Sequence, residues 1–183
     1  MTQTNGFFTT SDSAHLYYEV HGSGQPLFLV HGWQCSSKFW QRNVSELAQK
    51  FQVIVMDNRG HGQSSKGLHG QTLARYAQDV RELSEFLHLK DFVLMGWSLG
   101  GPILLAYWQQ YKRNSNLLGL GLIDMTTFPF SPEEWNSQGL RNYNMDGFNA
   151  QVNRLINERE EYFEFFGNAI FKDGKRPADT DWV

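Results

Sequence analysis

The hydrophobic positions of this chain fall into two patterns, short apolar runs and longer stretches with apolar residues at helical spacing. The apolar runs lie at 27–30, 53–56, 92–95 and 117–123, and they are typical of strands buried on both faces of a sheet. Apolar positions recur every three or four residues at 37–50, 71–88 and 99–111, which predicts helices. Strands that alternate with helices in this way predict an α/β fold with a mainly parallel, doubly wound sheet.

Two further segments flank the alternating region. Residues 7–10 and 16–20 read as short strands joined by a polar turn, which predicts an antiparallel hairpin at the edge of the sheet. After Pro129 the strand pattern stops, and apolar residues from 148 to 170 fall at helical spacing among many aromatic side chains. We therefore expect a core domain over 1–130 and a helical cap segment over 131–183 that covers one rim of the sheet.

Composition excludes several classes of protein. The net charge is −3 and no basic run occurs, so neither nucleic acid nor an anionic membrane is an expected partner. The uncharged stretch 92–108 is shorter than the ~20 apolar residues of a membrane span and is interrupted by glycines and a proline. Residues 1–10 have no signal-peptide pattern, and the single cysteine, Cys35, excludes an internal disulfide. We expect a cytoplasmic protein in which Cys35 is a small buried residue.

The stretch Gly96-Trp97-Ser98-Leu99-Gly100 lies between an apolar run and a helical pattern. This G-x-S-x-G pattern, placed between a strand and a helix, is that of a nucleophile elbow, in which a serine is held on a tight, strained turn. The helix that follows directs free N–H groups and its positive dipole end toward the serine. The alternative is a small-residue turn with a solvated serine.

Several chemistry-bearing residues directly follow predicted strands. His31-Gly32-Trp33, Asp57, Ser98 and Asp124 each come after one of the apolar runs. Because parallel strands place their carboxyl ends along one edge of the sheet, we expect these residues to share one rim. A common rim is what a catalytic site requires.

Three motifs together resemble the α/β-hydrolase superfamily. They are H-G-W at 31–33, D-x-R-G-x-G-x-S at 57–64 and G-W-S-L-G-G at 96–101. The resemblance is strongest to small bacterial esterases, C–C hydrolases and cofactor-free haloperoxidase-like enzymes. It implies that Ser98 is the nucleophile, that the backbone N–H groups of Trp33 and Leu99 form the oxyanion hole, and that Gly32 lets the loop approach the substrate.

The same resemblance implies supporting roles for other residues. His31 would brace the oxyanion loop by hydrogen bonding rather than act as a base, and residues 57–61 would lock the loop after the strand 53–56. The substrate would contact Gly32, Trp97, Phe128 and Trp135, and would be a small molecule with an apolar or aromatic group. For each of these aromatic side chains, plain core packing is an equally good explanation.

The chain departs from the family pattern after Ser98. The family's base is a histidine after the last strand, but no histidine follows Ser98 in these 183 residues. We therefore expect an N-terminal portion of a longer enzyme, an incomplete α/β-hydrolase fold that lacks the last strands and the catalytic histidine. A naturally short form is the alternative. Asp124 is either the triad acid or a structural carboxylate at a strand end.

These observations predict a serine hydrolase of the esterase type that acts through an acyl-enzyme and is weak or inactive in this form. A cofactor-free oxygenase or haloperoxidase-like enzyme on the same scaffold is the second hypothesis, and a non-catalytic binding protein is the third. No cysteine–histidine cluster and no phosphate-binding loop occurs, so no metal or cofactor is expected. The oligomeric state is not indicated by the sequence.

Overall fold

A computed structural model describes residues 3–112, 116–125, 144–171 and 174. The chain divides into two units, Met1–Met125 and Thr126–Val183. The described part of the first unit holds one sheet and three α-helices, and that of the second holds two helices. None of the described helices is long and apolar enough to cross a membrane.

The sheet has six strands in the order β1-β2-β4-β3-β5-β6 within the described residues. β1 pairs with β2, and β2 with β4, in antiparallel fashion, whereas β3 pairs in parallel with β4 and β5, and β5 in parallel with β6. The predicted hairpin at the sheet edge and the predicted, mainly parallel remainder are therefore confirmed. The strands are β1 (Gln3–Thr9), β2 (His15–Gly22), β3 (Gln25–Val30), β4 (Phe51–Met56), β5 (Phe92–Trp97) and β6 (Leu117–Ile123).

Three α-helices follow strands of the first unit. They are α1 (Gln41–Leu47), α2 (Leu73–Phe86) and α3 (Gly100–Tyr111). The single helix predicted over 37–50 is instead a 3₁₀ turn, Ser37–Trp40, followed by α1, and Ser36 makes no side-chain capping bond there. By contrast, α2 begins with a capped end, because the side chain of Thr72 accepts a hydrogen bond from the backbone N–H of Arg75.

Apolar side chains bury both faces of the central strands, as the sequence predicts for β3 and β4. On one face, side chains of these strands pack with the buried side of α2 and α3; on the other, they pack with the 3₁₀ turn and α1. Alternation along each strand divides its residues between the two layers. The first layer includes Phe28, Ile54, Leu94, Val80, Leu83, Ile103 and Leu104, and the second includes Leu27, Leu29, Val53, Val55, Trp40 and Val44.

The prediction that β6 is a buried strand is wrong. Leu118 is 61% exposed and Leu122 is 41% exposed. β6 lies at the end of the strand order, with β5 as its hydrogen-bonded neighbour among the described residues. An apolar run identifies a strand, but its burial depends on which elements cover it.

The described part of the second unit consists of α4 (Met145–Asn157) and α5 (Arg159–Ala169), which agrees with the helical spacing of its apolar residues. α4 begins at a capped end, since the Asn144 side chain accepts a hydrogen bond from the backbone N–H of Gly147. The guanidinium of Arg154 lies over the rings of Tyr162 and Phe165, 5.6 and 5.0 Å from their centroids. These contacts join α4 to α5 across the short break between them.

Candidate active site

Ser98 lies on the turn between β5 and α3 with φ of +52°, in the left-handed region that non-glycine residues rarely adopt. The turn is held on both sides by backbone hydrogen bonds. The N–H of Ser98 donates to the carbonyl of Ile123 at 3.1 Å, and the carbonyl of Ser98 accepts from the N–H of Gly101 at 2.8 Å. Strain of this kind persists only where the surroundings enforce it, and it is concentrated at functional sites.

The glycines on either side of Ser98 are required by close packing. A Cβ at Gly96 would lie 2.5 Å from the carbonyl carbon of Gly100, and a Cβ at Gly100 would collide with the carbonyl oxygen of Val30. Both obstacles are backbone atoms, which cannot turn aside as a side chain can. The spacing of the G-x-S-x-G motif therefore follows from the sharpness of this turn.

The loop after β3 approaches Ser98 at Gly32. A Cβ at Gly32 would lie 2.9 Å from the Cβ of Ser98 and 2.6 Å from Cε3 of Trp97. The approach follows from the sheet, because β3 and β5 are neighbours and Val30 pairs with Gly96. The structure thus brings the H-G-W and G-W-S-L-G-G motifs together.

Two backbone donors next to this contact are free. Within the described residues, the N–H groups of Trp33 and Leu99 donate no hydrogen bond, and the hydroxyl of Ser98 has no hydrogen-bond partner. Ser98 is half-buried. Buried and half-buried N–H groups are normally paired, so free donors beside an accessible serine can bind an acceptor atom of a ligand.

His31 is completely buried, and both of its ring nitrogens are engaged. Nε2 accepts a hydrogen bond from the backbone N–H of Asn58 at 3.0 Å, which leaves the proton on Nδ1 to be donated to the carbonyl of Gly32 at 2.7 Å. Burial, reinforced by repulsion from nearby His61, lowers the pKa of His31 to about 4. His31 is therefore a neutral brace for the Gly32 loop, as predicted, rather than a base.

The Asp57 carboxylate ties together the loops after β3 and β4. Its Oδ1 accepts from the backbone N–H of Ser37 at 2.6 Å, and its Oδ2 accepts from the backbone N–H of Gln63 at 2.7 Å. In the same loop, Nδ1 of His61 donates to the carbonyl of Arg59 at 3.0 Å. These contacts confirm the structural roles predicted for Asp57 and His61.

Arg59 anchors the Asp57 loop to α2 and to the turn after β1. Its Nε lies 2.7 Å from Oδ2 of fully buried Asp79, and its Nη1 lies 2.9 Å from Oδ2 of Asp12. Arg75 makes a second contact to Asp79 at 2.7 Å. Burial raises the pKa of Asp79, against the opposing effect of the two arginines, whereas the hydrogen bond from Arg59 lowers the pKa of Asp12.

Trp97, predicted to contact substrate, stacks on Phe39 with ring centroids 4.1 Å apart and planes 16° from parallel. It also lies against the backbone at Gly32 and packs on the apolar layer that includes Leu29 and Trp40. These contacts give Trp97 a packing role beside the serine. Phe128 and Trp135, the other aromatic residues predicted to line the substrate site, lie outside the described residues.

Asp124 directly follows β6, at the same edge of the sheet as Ser98. It is exposed, has φ of +47°, and makes no hydrogen bond or ion pair within the described residues. The pairing of Trp97 with Ile123 places the backbone of Asp124 beside the Ser98 turn. This agrees with the shared rim expected from the strand ends, while its role as triad acid stays a prediction.

Sequence reasoning missed two residues of this region. Asn58 donates its backbone N–H to His31, and its side-chain amide donates to the carbonyl of His31 at 3.2 Å. Gln34 has φ of +61°, and the nitrogen and oxygen of its amide are buried without a hydrogen-bond partner among the described residues. Nothing in the sequence around Gln34 indicates this. Across the described residues, no group of three acidic, histidine or cysteine side chains could hold a metal ion.

A family model for the alpha/beta hydrolase fold matches residues 25–157 of this chain. A curated non-heme haloperoxidase from Rhodococcus erythropolis is 31% identical over 173 residues, which are 94% of this chain and 62% of that protein. The structure is similar to that of an esterase from Exiguobacterium antarcticum, with a TM-score of 0.80 and 26% identity over 90% of this chain and 60% of the other. The structure is also similar to that of a bromoperoxidase from Bacillus anthracis, with a TM-score of 0.81 and 27% identity over 94% of this chain and 62% of the other. The chain thus spans about 60% of the length of these relatives.

Proposed function

Because this chain belongs to the alpha/beta hydrolase fold family, we propose that the whole protein is a serine hydrolase of the esterase type with Ser98 as its nucleophile. The observation that carries the proposal is the strained turn at Ser98, against which the Gly32 backbone packs. The N–H groups of Trp33 and Leu99, which donate no hydrogen bond within the described parts of the chain, support it. The resemblance to a solved esterase structure points the same way.

In the proposed reaction, Oγ of Ser98 attacks the carbonyl carbon of an ester. The carbonyl oxygen becomes an oxyanion that accepts hydrogen bonds from the N–H groups of Trp33 and Leu99, each worth roughly 3–4 kcal/mol in the transition state. The C–O bond to the alcohol then breaks, and the alcohol leaves with the proton that the serine gave up. Water attacks the acyl-enzyme, releases the acid and restores the hydroxyl of Ser98.

Serine needs a base to take its proton, and the described residues place none beside Ser98. His31 is unsuitable because both of its nitrogens are engaged, and no histidine follows Ser98 in these 183 residues. We assign the base to the whole protein rather than to this portion, with Asp124 as the acid that orients it. The 183-residue chain should then react slowly, through binding and oxyanion stabilisation alone.

The proposed substrate is a small ester with an apolar or aromatic group, taken up by a cytoplasmic enzyme. The position of Trp97 beside the serine supports the preference for an aromatic group. Phe128 and Trp135 are proposed to contact the substrate as well. In this proposal residues 1–130 are the hydrolase core that carries the nucleophile, and 131–183 are the helical cap segment. No cofactor takes part.

The test is the acylation of the 183-residue chain by p-nitrophenyl acetate, followed by release of p-nitrophenolate. We expect a slow first turnover that disappears in Ser98→Ala and is unchanged in Ser36→Ala, a substitution at another half-buried serine. Added imidazole should accelerate the reaction in the wild-type chain more than in Ser98→Ala, because it supplies the missing base. Equal rates in wild type and Ser98→Ala would contradict the proposal, and binding of an ester without acylation would favour a non-catalytic binding protein.

A second candidate is a haloperoxidase-like activity, favoured by the names of the Rhodococcus relative and of the Bacillus anthracis structure. The measurement is bromination of monochlorodimedone with hydrogen peroxide and bromide, in parallel with ester hydrolysis. Bromination without ester acylation at Ser98 would favour this candidate. Acylation without bromination would favour the esterase.

A further inference from the structure

The loop after β3 carries the proposed oxyanion donor, the N–H of Trp33, directly after a glycine that the packing requires. A Cβ at Gly32 would press on Ser98 and on Trp97, so the close approach of the loop depends on glycine. Glycine is also the residue that least restricts the rotation of its two flanking peptide units. A donor aimed at a developing oxyanion has to be held in place before the reaction. Groups other than Gly32 itself must therefore fix the peptide units on either side of it.

The peptide unit between Gly32 and Trp33 is held through its carbonyl. The carbonyl of Gly32 accepts a hydrogen bond from Nδ1 of His31 at 2.7 Å and another from the N–H of Cys35 at 3.3 Å. Because a trans peptide unit is planar, the N–H of Trp33 points in the direction opposite to this carbonyl. The two hydrogen bonds that fix the carbonyl therefore also fix the direction of the donor.

The peptide unit between His31 and Gly32 is held by Asn58. The side-chain Nδ2 of Asn58 donates to the carbonyl of His31 at 3.2 Å, and the backbone N–H of Asn58 donates to Nε2 of His31 at 3.0 Å. The first bond fixes this peptide unit directly. The second leaves the proton of His31 on Nδ1, from which it is donated to the carbonyl of Gly32. Asn58 thus acts on both peptide units that flank Gly32.

These hydrogen bonds lie directly beside the turn that carries Ser98. A Cβ at Gly32 would lie 2.9 Å from the Cβ of Ser98, and a Cβ at Gly100 would lie 3.4 Å from the carbonyl oxygen of His31, the atom that Asn58 holds. Asn58 itself is completely buried. It can therefore affect a reaction at Ser98 through the loop, and not by contact with a substrate.

The amide of Asn58 contributes little to the stability of the fold. Its Oδ1 is buried and has no hydrogen-bond partner among the described residues. A buried acceptor without a partner lowers stability by about 1–3 kcal/mol, whereas a typical hydrogen bond contributes about 1 kcal/mol. The loss at Oδ1 therefore offsets the gain at Nδ2. What the side chain provides is the fixed position of the His31 carbonyl.

We propose that Asn58 is a positioning residue that directs the N–H of Trp33 toward the oxyanion formed at Ser98. The inference rests on the proposed esterase function, which gives this N–H its partner. It adds to that function the residue that keeps the donor in place. It also explains why an amide with an unpaired oxygen is present at position 58.

Asn58→Leu tests the side chain alone, because it retains the backbone N–H and keeps the number and branching of the side-chain heavy atoms. Acylation by p-nitrophenyl acetate is measured over a range of ester concentrations, which separates ester binding from acyl transfer. We expect the rate at saturation to fall about tenfold, a part of the roughly 10²–10³ lost with a whole oxyanion donor, while the binding constant stays unchanged. Asn43→Leu makes the same change at an exposed residue and should match the wild type.

Thermal unfolding distinguishes positioning from a structural role. Asn58→Leu removes one unpaired acceptor, Oδ1, and leaves another, the His31 carbonyl, so the melting temperature should change by no more than about 4 °C. Asn58→Ala adds no bulk and should show the same fall in the acylation rate. A lower melting temperature with an unchanged acylation rate, or the failure of both variants to fold, would overturn the proposal and give Asn58 a structural role.

A measurement of backbone motion keeps the inference separate from the nucleophile. The ¹⁵N relaxation of the Gly32 and Trp33 amides is recorded for Ser98→Ala, alone and combined with Asn58→Leu or Asn43→Leu. Greater motion of both amides with Asn58→Leu only would support the role of Asn58 even if Ser98 proves unreactive. Unchanged relaxation would overturn the proposal, and so would greater motion together with an unchanged acylation rate in a reactive chain.

Discussion

Acid should weaken the fold through His31, and replacement of His31 by glutamine should remove this pH dependence. The pKa of His31 is about 4 in the folded chain, below its ordinary value of 6.5, because the ring is completely buried. Below about pH 6.5 the unfolded chain therefore takes up a proton at His31 that the folded chain refuses. Stability is fully present above about pH 6.5 and falls as the pH decreases toward 4.

The size of the effect follows from the two pKa values. At 1.36 kcal/mol for each pKa unit, the difference between 6.5 and about 4 corresponds to about 3 kcal/mol of unfolding free energy. Most of this, about 2–3 kcal/mol, is lost by about pH 4.5. This is a large share of the stability of an ordinary domain.

Urea unfolding followed by tryptophan fluorescence, from about pH 7.5 to about pH 4.5, measures the effect. His31→Gln keeps an acceptor for the N–H of Asn58 but cannot titrate. Its free energy of unfolding should therefore fall by about 2–3 kcal/mol less than that of the wild type over this range. His69→Gln, at an exposed histidine, should follow the wild type. His61, whose pKa is also lowered by burial, remains in all three chains, so the effect of its own burial is present in each. The repulsion between His61 and His31 is lost only in His31→Gln and counts as part of the effect of His31. Equal losses in wild type and His31→Gln would refute the assignment of His31 as a buried, neutral brace.

Three further predictions concern the surroundings of Ser98 and the core. Gly32→Ala should lower the free energy of unfolding by about 1–3 kcal/mol and slow the acylation of Ser98, because the new Cβ would press on Trp97 and on the serine; urea unfolding and ester kinetics measure both. Asp79→Asn should cost about 3–5 kcal/mol in urea unfolding by leaving Arg59 buried without its main partner, and a loss under 1 kcal/mol would contradict this. Cys35, buried and with its pKa raised to about 12, should resist iodoacetamide at about pH 8 until denaturant is added.

The arrangement of Ser98 and Gly32 was predictable because local sequence determines it. The apolar run before Gly96 specifies a strand, and the glycines at 96 and 100 are the residues that so sharp a turn tolerates. Parallel strands then bring their carboxyl ends to one edge, which places Asp124 on the same side as Ser98. The bounds of β6 agree with the predicted 117–123, because there too an apolar run specifies a strand.

The remaining features depend on contacts that the sequence pattern does not encode. The exposure of Leu118 and Leu122 follows from the place of β6 in the strand order, which hydrophobicity alone does not determine. The division of 37–50 into a 3₁₀ turn and α1 accompanies the hydrogen bond from Ser37 to distant Asp57. That the amide of Gln34 has no hydrogen-bond partner in the described part of the chain is recognisable only once its neighbours are known.

Direct location of the acyl group tests the central claim, that Ser98 is the nucleophile. The 183-residue chain is treated with p-nitrophenyl acetate, digested with trypsin and analysed by tandem mass spectrometry, with Ser98→Ala as the reference. We predict that the acetyl group is found on Ser98 before any other residue and that the same peptide of the variant stays unmodified. Acetyl groups spread over lysines and other serines, with Ser98 no more modified than they are, would contradict the account.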